Sequence, residues 1–85
     1  MPDYTIVLSK KAQKQLDKIP DAFAVPIFDA IASLGQAPRP QGYKKLTGRE
    51  GYRIRVGNYR IIYNIIDDEL IISIITLGHR KDIYR

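Results

Sequence analysis

Tyr52 to Val56 alternates strictly and runs into a Gly57-Asn58 pair followed by a second apolar run, Tyr59 to Ile66, a pattern that few arrangements other than a tight β-hairpin accommodate. Alternation puts Tyr52, Ile54 and Val56 on one side of a strand and Arg53 and Arg55 on the other. Glycine and asparagine both tolerate positive φ, so Gly57-Asn58 suits a two-residue turn. Such a turn pairs Val56 with Tyr59, Arg55 with Arg60, Ile54 with Ile61 and Arg53 with Ile62, and directly opposed residues share a face. Arg53, Arg55 and Arg60 then converge on one side. Like charges opposite one another cost a sheet stability, so this placement serves something other than folding, and a polyanion is the simplest partner.

The charge distribution points the same way. The 85-residue chain carries a net charge of +5 and has a pI near 9.6. Residues 1–39 hold five bases and four acids, whereas Tyr43 to Arg60 hold six bases (Lys44, Lys45, Arg49, Arg53, Arg55, Arg60) and one acid, Glu50. Concentrated positive charge suits phosphate, because neutralising phosphates releases counterions. The length fits one small domain, 1–85, with a thin core. There are no cysteines, which excludes disulfides and thiolate metal sites, and the one histidine, His79, has few acids near it in sequence, so no metal and no cofactor are expected. The N-terminal residues lack the basic start and long apolar core of a signal peptide, and no apolar run reaches membrane-spanning length. A cytoplasmic protein is the expectation.

The remaining chain reads as support for the hairpin. Tyr4 to Leu8 alternates as a first strand, and Ser9 is placed to cap a helix with Ala12, Leu16 and Ile19 on its apolar stripe. The lysines of this helix read as a solvated face. Pro20 ends it. Asp21 opens a second helix closed by Gly35, with Ala24, Ile27, Phe28, Ile31 and Leu34 as a wide apolar face and Pro26 expected to kink or start it. Gln36 to Gly42 is a loop, and Tyr43 to Gly51 a turn or short strand. After the hairpin, Asp67-Asp68 makes a two-residue turn into a last strand, Glu69 to Leu77, pairing Ile66 with Glu69, Ile65 with Leu70 and Tyr63 with Ile72. The tail after Gly78 carries Arg80, Lys81 and Tyr84. The fold class is α+β: a strand, an α-hairpin, then a three-stranded antiparallel meander, with the helices on one face of a small, mostly antiparallel sheet.

Paired carboxylates, a phosphate-cradling glycine loop, a serine triad and a metal motif are all missing. What remains is a set of cations, Arg53, Arg55, Arg60 and Arg80, with Lys44, Lys45, Arg49 and Lys81 as further phosphate contacts, and His79 and Tyr84 beside them in sequence. Such a set can hold a phosphodiester and stabilise the added charge of its pentavalent transition state. In RNA the substrate brings its own nucleophile, the 2′-hydroxyl.

The pattern YRIRVGNYRIIY, a DDE turn, an apolar strand and LGHRKDIY resembles the RelE-type toxins of bacterial and archaeal toxin-antitoxin pairs, and the preceding strand, two helices and KKLTGREG match that layout. The resemblance implies ribosome-dependent cleavage of messenger RNA to a 2′,3′-cyclic phosphate, and neutralisation by a RelB-like antitoxin. By position, it implies that Arg53 and Arg55 stand where the family carries two lysines. Arg60 and Arg80 fall on phosphate-binding arginines, and Tyr84 on a tyrosine that stacks on a base or assists proton transfer. Arginine binds phosphate better than lysine, but its pKa above ~12 makes it a poor proton donor or acceptor. Proton transfer then falls to Tyr84, His79 or a ribosomal group. A ParE-like toxin of the same fold that poisons DNA gyrase, and a basic RNA-binding module without catalysis, are the two alternatives.

Overall fold

A computed structural model describes residues 3–79. Arg80, Lys81 and Tyr84 lie outside the described residues. The elements are β1 (Thr5–Leu8), α1 (Lys10–Asp17), α2 (Asp21–Leu34), β2 (Lys44–Lys45), β3 (Tyr52–Val56), β4 (Tyr59–Ile66) and β5 (Ile71–His79). They build a five-stranded sheet in the order β1-β5-β4-β3-β2, antiparallel except where β1 runs parallel to β5. The α+β architecture is the expected one, extended by the two-residue edge strand β2. The most apolar strands, β4 and β5, are central.

The hairpin register is the one its alternation dictates: Val56 opposite Tyr59, Arg55 opposite Arg60, Ile54 opposite Ile61 and Arg53 opposite Ile62. Its helix-side face supplies Ile54, Ile61 and Tyr63 to a core completed by Ile72, Ile74 and Leu77 of β5 and by Ala12, Leu16, Ile27, Ile31 and Leu34 of the helices. Burying such side chains contributes roughly 1.5–3 kcal/mol each, which is what holds so small a domain together. Tyr63 is fully buried, and its hydroxyl donates to the carbonyl of Pro38 at 2.8 Å. Burial pushes its phenol up to about 12, so it is a structural hydroxyl.

The next turn departs from expectation. Asp67 to Leu70 form a four-residue connection, and β5 starts at Ile71 and runs through Gly78 to His79 instead of covering Glu69 to Leu77. Ile66 therefore pairs with Ile71, Ile65 with Ile72 and Tyr63 with Ile74. From Ile66 to Tyr63 the register differs from the sequence expectation by two residues, so faces are kept there; past a bulge in β5 the difference becomes three, which turns Leu77 to the core and Thr76 to the outer face. Leu70 sits at φ 55°, a left-handed conformation that costs a non-glycine residue roughly 1–2 kcal/mol. Its carbonyl accepts from Thr5 N–H at 2.8 Å, so docking of β1 holds the longer turn in place. No local signal marks it.

Helix α1 begins as its sequence indicates, with the Ser9 hydroxyl accepting from Ala12 N–H at 3.0 Å. Ser9 also donates to the carbonyl of Ile75 at 2.8 Å. That residue is the extra one in a bulge of β5, between the Ile62–Thr76 and Tyr63–Ile74 pairs. β1 stops opposite Ile74, and beyond it α1 covers the strand edge: Gln15 Oε1 accepts from Leu77 N–H at 2.9 Å and from the Thr76 hydroxyl at 3.0 Å. A backbone donor that β1 is too short to reach is thus satisfied by a helix side chain.

Helix α2 runs unbroken across Pro26 from Asp21, rather than starting near the proline. Its buried face is Ile27, Ile31 and Leu34, and Phe28, expected on that face, is 61% exposed. Spacings of four and three follow one stripe, and Phe28 lies just off it. Gly35 caps the helix in a right-handed conformation, so backbone freedom is not the reason for glycine there. A Cβ would lie 3.0 Å from the Tyr4 carbonyl, in a close approach where Tyr4 N–H also donates to the Gly35 carbonyl at 2.7 Å.

Candidate nucleic-acid interface

The face of the sheet away from the helices carries the cations. Two rows of side chains cross it: Lys44, Arg53, Ile62 and Thr76 in one, Arg55, Arg60 and Gly78 in the next. Three strands thereby bring together Arg53, Arg55, Arg60 and Lys44, as alternation and the Gly57-Asn58 turn require. Lys44 joins them because β2 pairs with β3 in the register Lys44–Arg53 and Lys45–Tyr52. The loop between these strands is closed by Leu46 N–H donating to the Gly51 carbonyl at 3.0 Å. Gly51 sits at φ 123°, and a Cβ there would meet both Leu46 and the Tyr63 carbonyl at 3.2 Å. Glycine at this one position lets the loop fold back and bring Arg49 to the sheet.

These residues enclose an open groove of about 430 Å³ lined by Lys44, Lys45, Arg49, Arg53, Ile62 and Thr76. Its floor is apolar: Ile62 is 5% exposed but belongs to the outer face and stands apart from the main core. The cations differ in depth. Arg55, Lys44, Lys45 and Arg49 are exposed, Arg53 is half-buried and Arg60 is 5% exposed. A buried guanidinium is held in a fixed orientation, whereas exposed lysines are mobile point charges. Arg60 is therefore suited to grip one phosphate in fixed geometry, with Arg55 and Arg53 adding charge around it.

His79 is placed differently. It pairs with Tyr59, its ring centroid lies 5.8 Å from that of Tyr59 in an edge-on contact, and Tyr59 in turn meets Phe23 of α2 at 6.0 Å. These contacts put His79 on the helix-side face, across the sheet from Arg55 and Arg60. Tyr52 and Tyr63 also sit on that side, with their rings 5.9 Å apart. Tyr43 stands 5.9 Å from Tyr52. The aromatic rings serve the core and its rim rather than the cationic face.

Sequence reasoning missed two kinds of neighbour. Thr76 and Ile62 border the groove, and nothing local marks a threonine or an isoleucine as part of a binding surface. Lys11 and Lys18, expected on a merely solvated face, line a second groove with Arg49 and His79. At the opposite end, Asp67 joins Tyr4 (2.6 Å) and Arg39 (3.1 Å). The Tyr4 hydroxyl, and after it the Arg39 guanidinium, hold the Asp67 carboxyl below its usual range. This acid is thus committed to tying the first strand to the loops. Among the described residues no group of three or more histidines, cysteines or carboxylates could hold a metal ion, and no helix is long and apolar enough to cross a membrane.

Comparison with known proteins places this geometry in a family. Residues 6–84 match the model of the ParE toxin of type II toxin-antitoxin system, parDE. Toxin RelG of Mycobacterium tuberculosis is 30% identical over 86 aligned positions, covering 96% of this chain and 97% of the relative. The putative toxin RelE1 of Methanocaldococcus jannaschii is 28% identical, with 96% of each chain covered. Among solved structures, that of the archaeal RelE–RelB complex from Pyrococcus horikoshii superposes with a TM-score of 0.83 at 28% identity, over 94% of this chain and 98% of the other. By sequence across its length and by the arrangement of its sheet and helices, the chain belongs to the RelE/ParE superfamily of type II toxin-antitoxin toxins, on the RelE-like side.

Proposed function

We propose that this protein is a ribosome-dependent endoribonuclease that cleaves messenger RNA by attack of the 2′-hydroxyl on its neighbouring phosphate. The observation that carries this reading is the Arg55–Arg60 pair, directly opposed on the helix-free face with Arg53 and Lys44 in the adjacent row. In the reaction the 2′-oxygen bonds to phosphorus, the bond to the 5′-oxygen breaks, and the products are a 2′,3′-cyclic phosphate and a 5′-hydroxyl. One proton leaves the 2′-hydroxyl and one reaches the departing 5′-oxygen. Arg60, fixed by burial, would hold a non-bridging oxygen, while Arg53, Arg55 and Arg80 stabilise the charge that grows in the transition state. Guanidinium groups remain protonated at any working pH, so the arginines carry no proton. With His79 on the other face, proton transfer falls to Tyr84 or to a group of the ribosome. Lys44, Lys45, Arg49 and Lys81 extend the phosphate contacts.

A RelB-like antitoxin is the expected protein partner, since the structural relative from Pyrococcus was solved as a RelE–RelB complex and an acidic chain would complement a basic face. The ParE description of the matching family model favours a second reading, a gyrase poison. Arg60 and Arg80 weigh against it.

Induction of the wild-type chain should arrest growth and generate new messenger 5′ ends in cells, and programmed ribosomes should show the same cuts in vitro. Arg60→Ala and Arg80→Ala should each lower cleavage by about 10²–10³-fold. Arg60→Lys, which keeps a charge but loses the planar fork, should be impaired while melting normally. Full toxicity of both alanine variants, or inhibition of supercoiling without any ribosomal cleavage, would overturn the endonuclease reading.

A further inference from the structure

The cationic groove does not end at the sheet. A second groove of about 470 Å³ shares Arg49 and Thr76 with the first and continues over β5 to helix α1, where Lys11, Gln15 and Lys18 border it. It reaches Tyr59 and His79, and these two residues also line a third hollow of about 390 Å³ with Phe23, Pro26, Val56 and Asn58. The two ends of this track differ in chemistry. The middle groove offers Lys11, Lys18 and Arg49, and no carboxylate is among its described lining residues. Gln15 adds to it: its Oε1 is committed to Thr76 and Leu77, so its amide presents Nε2 as the donor. The far hollow is aromatic, with the rings of Phe23 and His79 each in contact with that of Tyr59. Phe23 is 54% exposed there. Asn58, with both a donor and an acceptor, supplies a side-chain amide at its rim.

Donors suited to an anion beside a ring surface with an amide describe a nucleotide: phosphate on the lysines and Arg49, base over Phe23 with its edge toward Asn58. We infer that Lys11, Lys18, Arg49 and Phe23 form a second RNA subsite, which holds a nucleotide of the strand outside the one gripped by Arg55 and Arg60. The inference rests on the proposed reading that RNA is the ligand of the cationic face. Neither lysines nor phenylalanine here touch the reacting phosphate; the subsite adds affinity and directs the strand across β5. Lys10 and Lys14 stand on the same helix, exposed, and line neither groove, which makes them an internal control of equal charge.

The test measures binding of the full-length toxin to a short fluorescein-labelled 2′-O-methyl RNA, which cannot supply the nucleophile, over a range of salt. Lys11→Gln/Lys18→Gln should weaken binding by about tenfold and reduce the slope of log K against log salt by roughly 1.4, two phosphate contacts' worth for a single strand. Lys10→Gln/Lys14→Gln should have a clearly smaller effect on both. Phe23→Ala should weaken an intact strand about fivefold or more and leave an abasic strand unchanged. Equal behaviour of the two double variants would overturn the subsite, because net charge alone would then explain binding. So would a loss confined to binding of an acidic antitoxin peptide with RNA binding intact, since the groove would then belong to a protein partner. Cleavage of programmed ribosomes by the wild type is followed in parallel. If cleavage is absent while the paired difference persists, the endonuclease reading fails and the subsite stands; cleavage with no paired difference gives the reverse.

Discussion

The two faces of the β3–β4 hairpin are made by the same ten or so residues and obey opposite rules. On the helix side, Ile54, Ile61 and Tyr63 are buried against β5 and the helices, and each contact there adds to stability. On the other side, Arg55 faces Arg60 and Arg53 stands beside Lys44, an arrangement that opposes folding by like-charge repulsion. The core face can therefore be explained by the protein alone. The cationic face is accounted for by the proposed RNA ligand, and on that reading the two faces divide the hairpin's work between fold and task.

The comparison breaks most sharply in the core. Ile74→Ala removes a fully buried side chain at the centre of the sheet and should cost about 2–5 kcal/mol, enough to unfold much of so small a domain. Chemical denaturation would register it, and any lost toxicity should recover when the folded fraction is restored at lower temperature. Arg55→Thr on the opposite face should do the reverse. It removes repulsion from an exposed strand position and should raise stability by roughly 0.2–1 kcal/mol, a few degrees in melting temperature, while lowering cleavage of programmed ribosomes. A variant that lost both stability and activity would show that the cationic face contributes to folding after all.

A further effect, read in the pH dependence of stability, concerns Tyr63. Its phenol is held protonated by burial, up to about 12, whereas in the unfolded chain it ionises near 10. The contribution of this group is complete below pH ~10 and is lost as pH rises toward ~12. Tyr63→Phe removes the hydrogen bond to Pro38 and should cost about 1 kcal/mol at neutral pH. It should also flatten the fall in stability between those pH values. An unchanged alkaline transition in the variant would mean that other tyrosines govern it.

How far the site could be read beforehand depended on how local its causes were. Arg53, Arg55 and Arg60 were legible as one face because alternation and a Gly-Asn turn specify a hairpin register within a dozen residues. Ser9 as a helix cap was equally legible. The last strand was not, because Leu70 takes a left-handed conformation and its carbonyl is engaged by Thr5 N–H, a contact across most of the chain. Phe28 was mistaken for core since a helical stripe has edges, and only the packed partner decides which edge is covered. His79 follows a glycine in a tail full of cations, yet pairing with Tyr59 puts it on the aromatic side.

By itself, the order of residues determined which side chains of the β3–β4 hairpin lie opposite one another across its turn, where the first helix starts and that positive charge gathers between Tyr43 and Arg60. Those outcomes follow from steric alternation, turn chemistry and capping, which act over a few bonds. Tertiary structure alone decided that β1 docks beside β5, that α1 completes the edge β1 leaves open, and that Lys11 and Lys18 come to stand near Arg49 and His79. Such meetings are set by which surfaces bury best against one another at long range, and no local pattern encodes them.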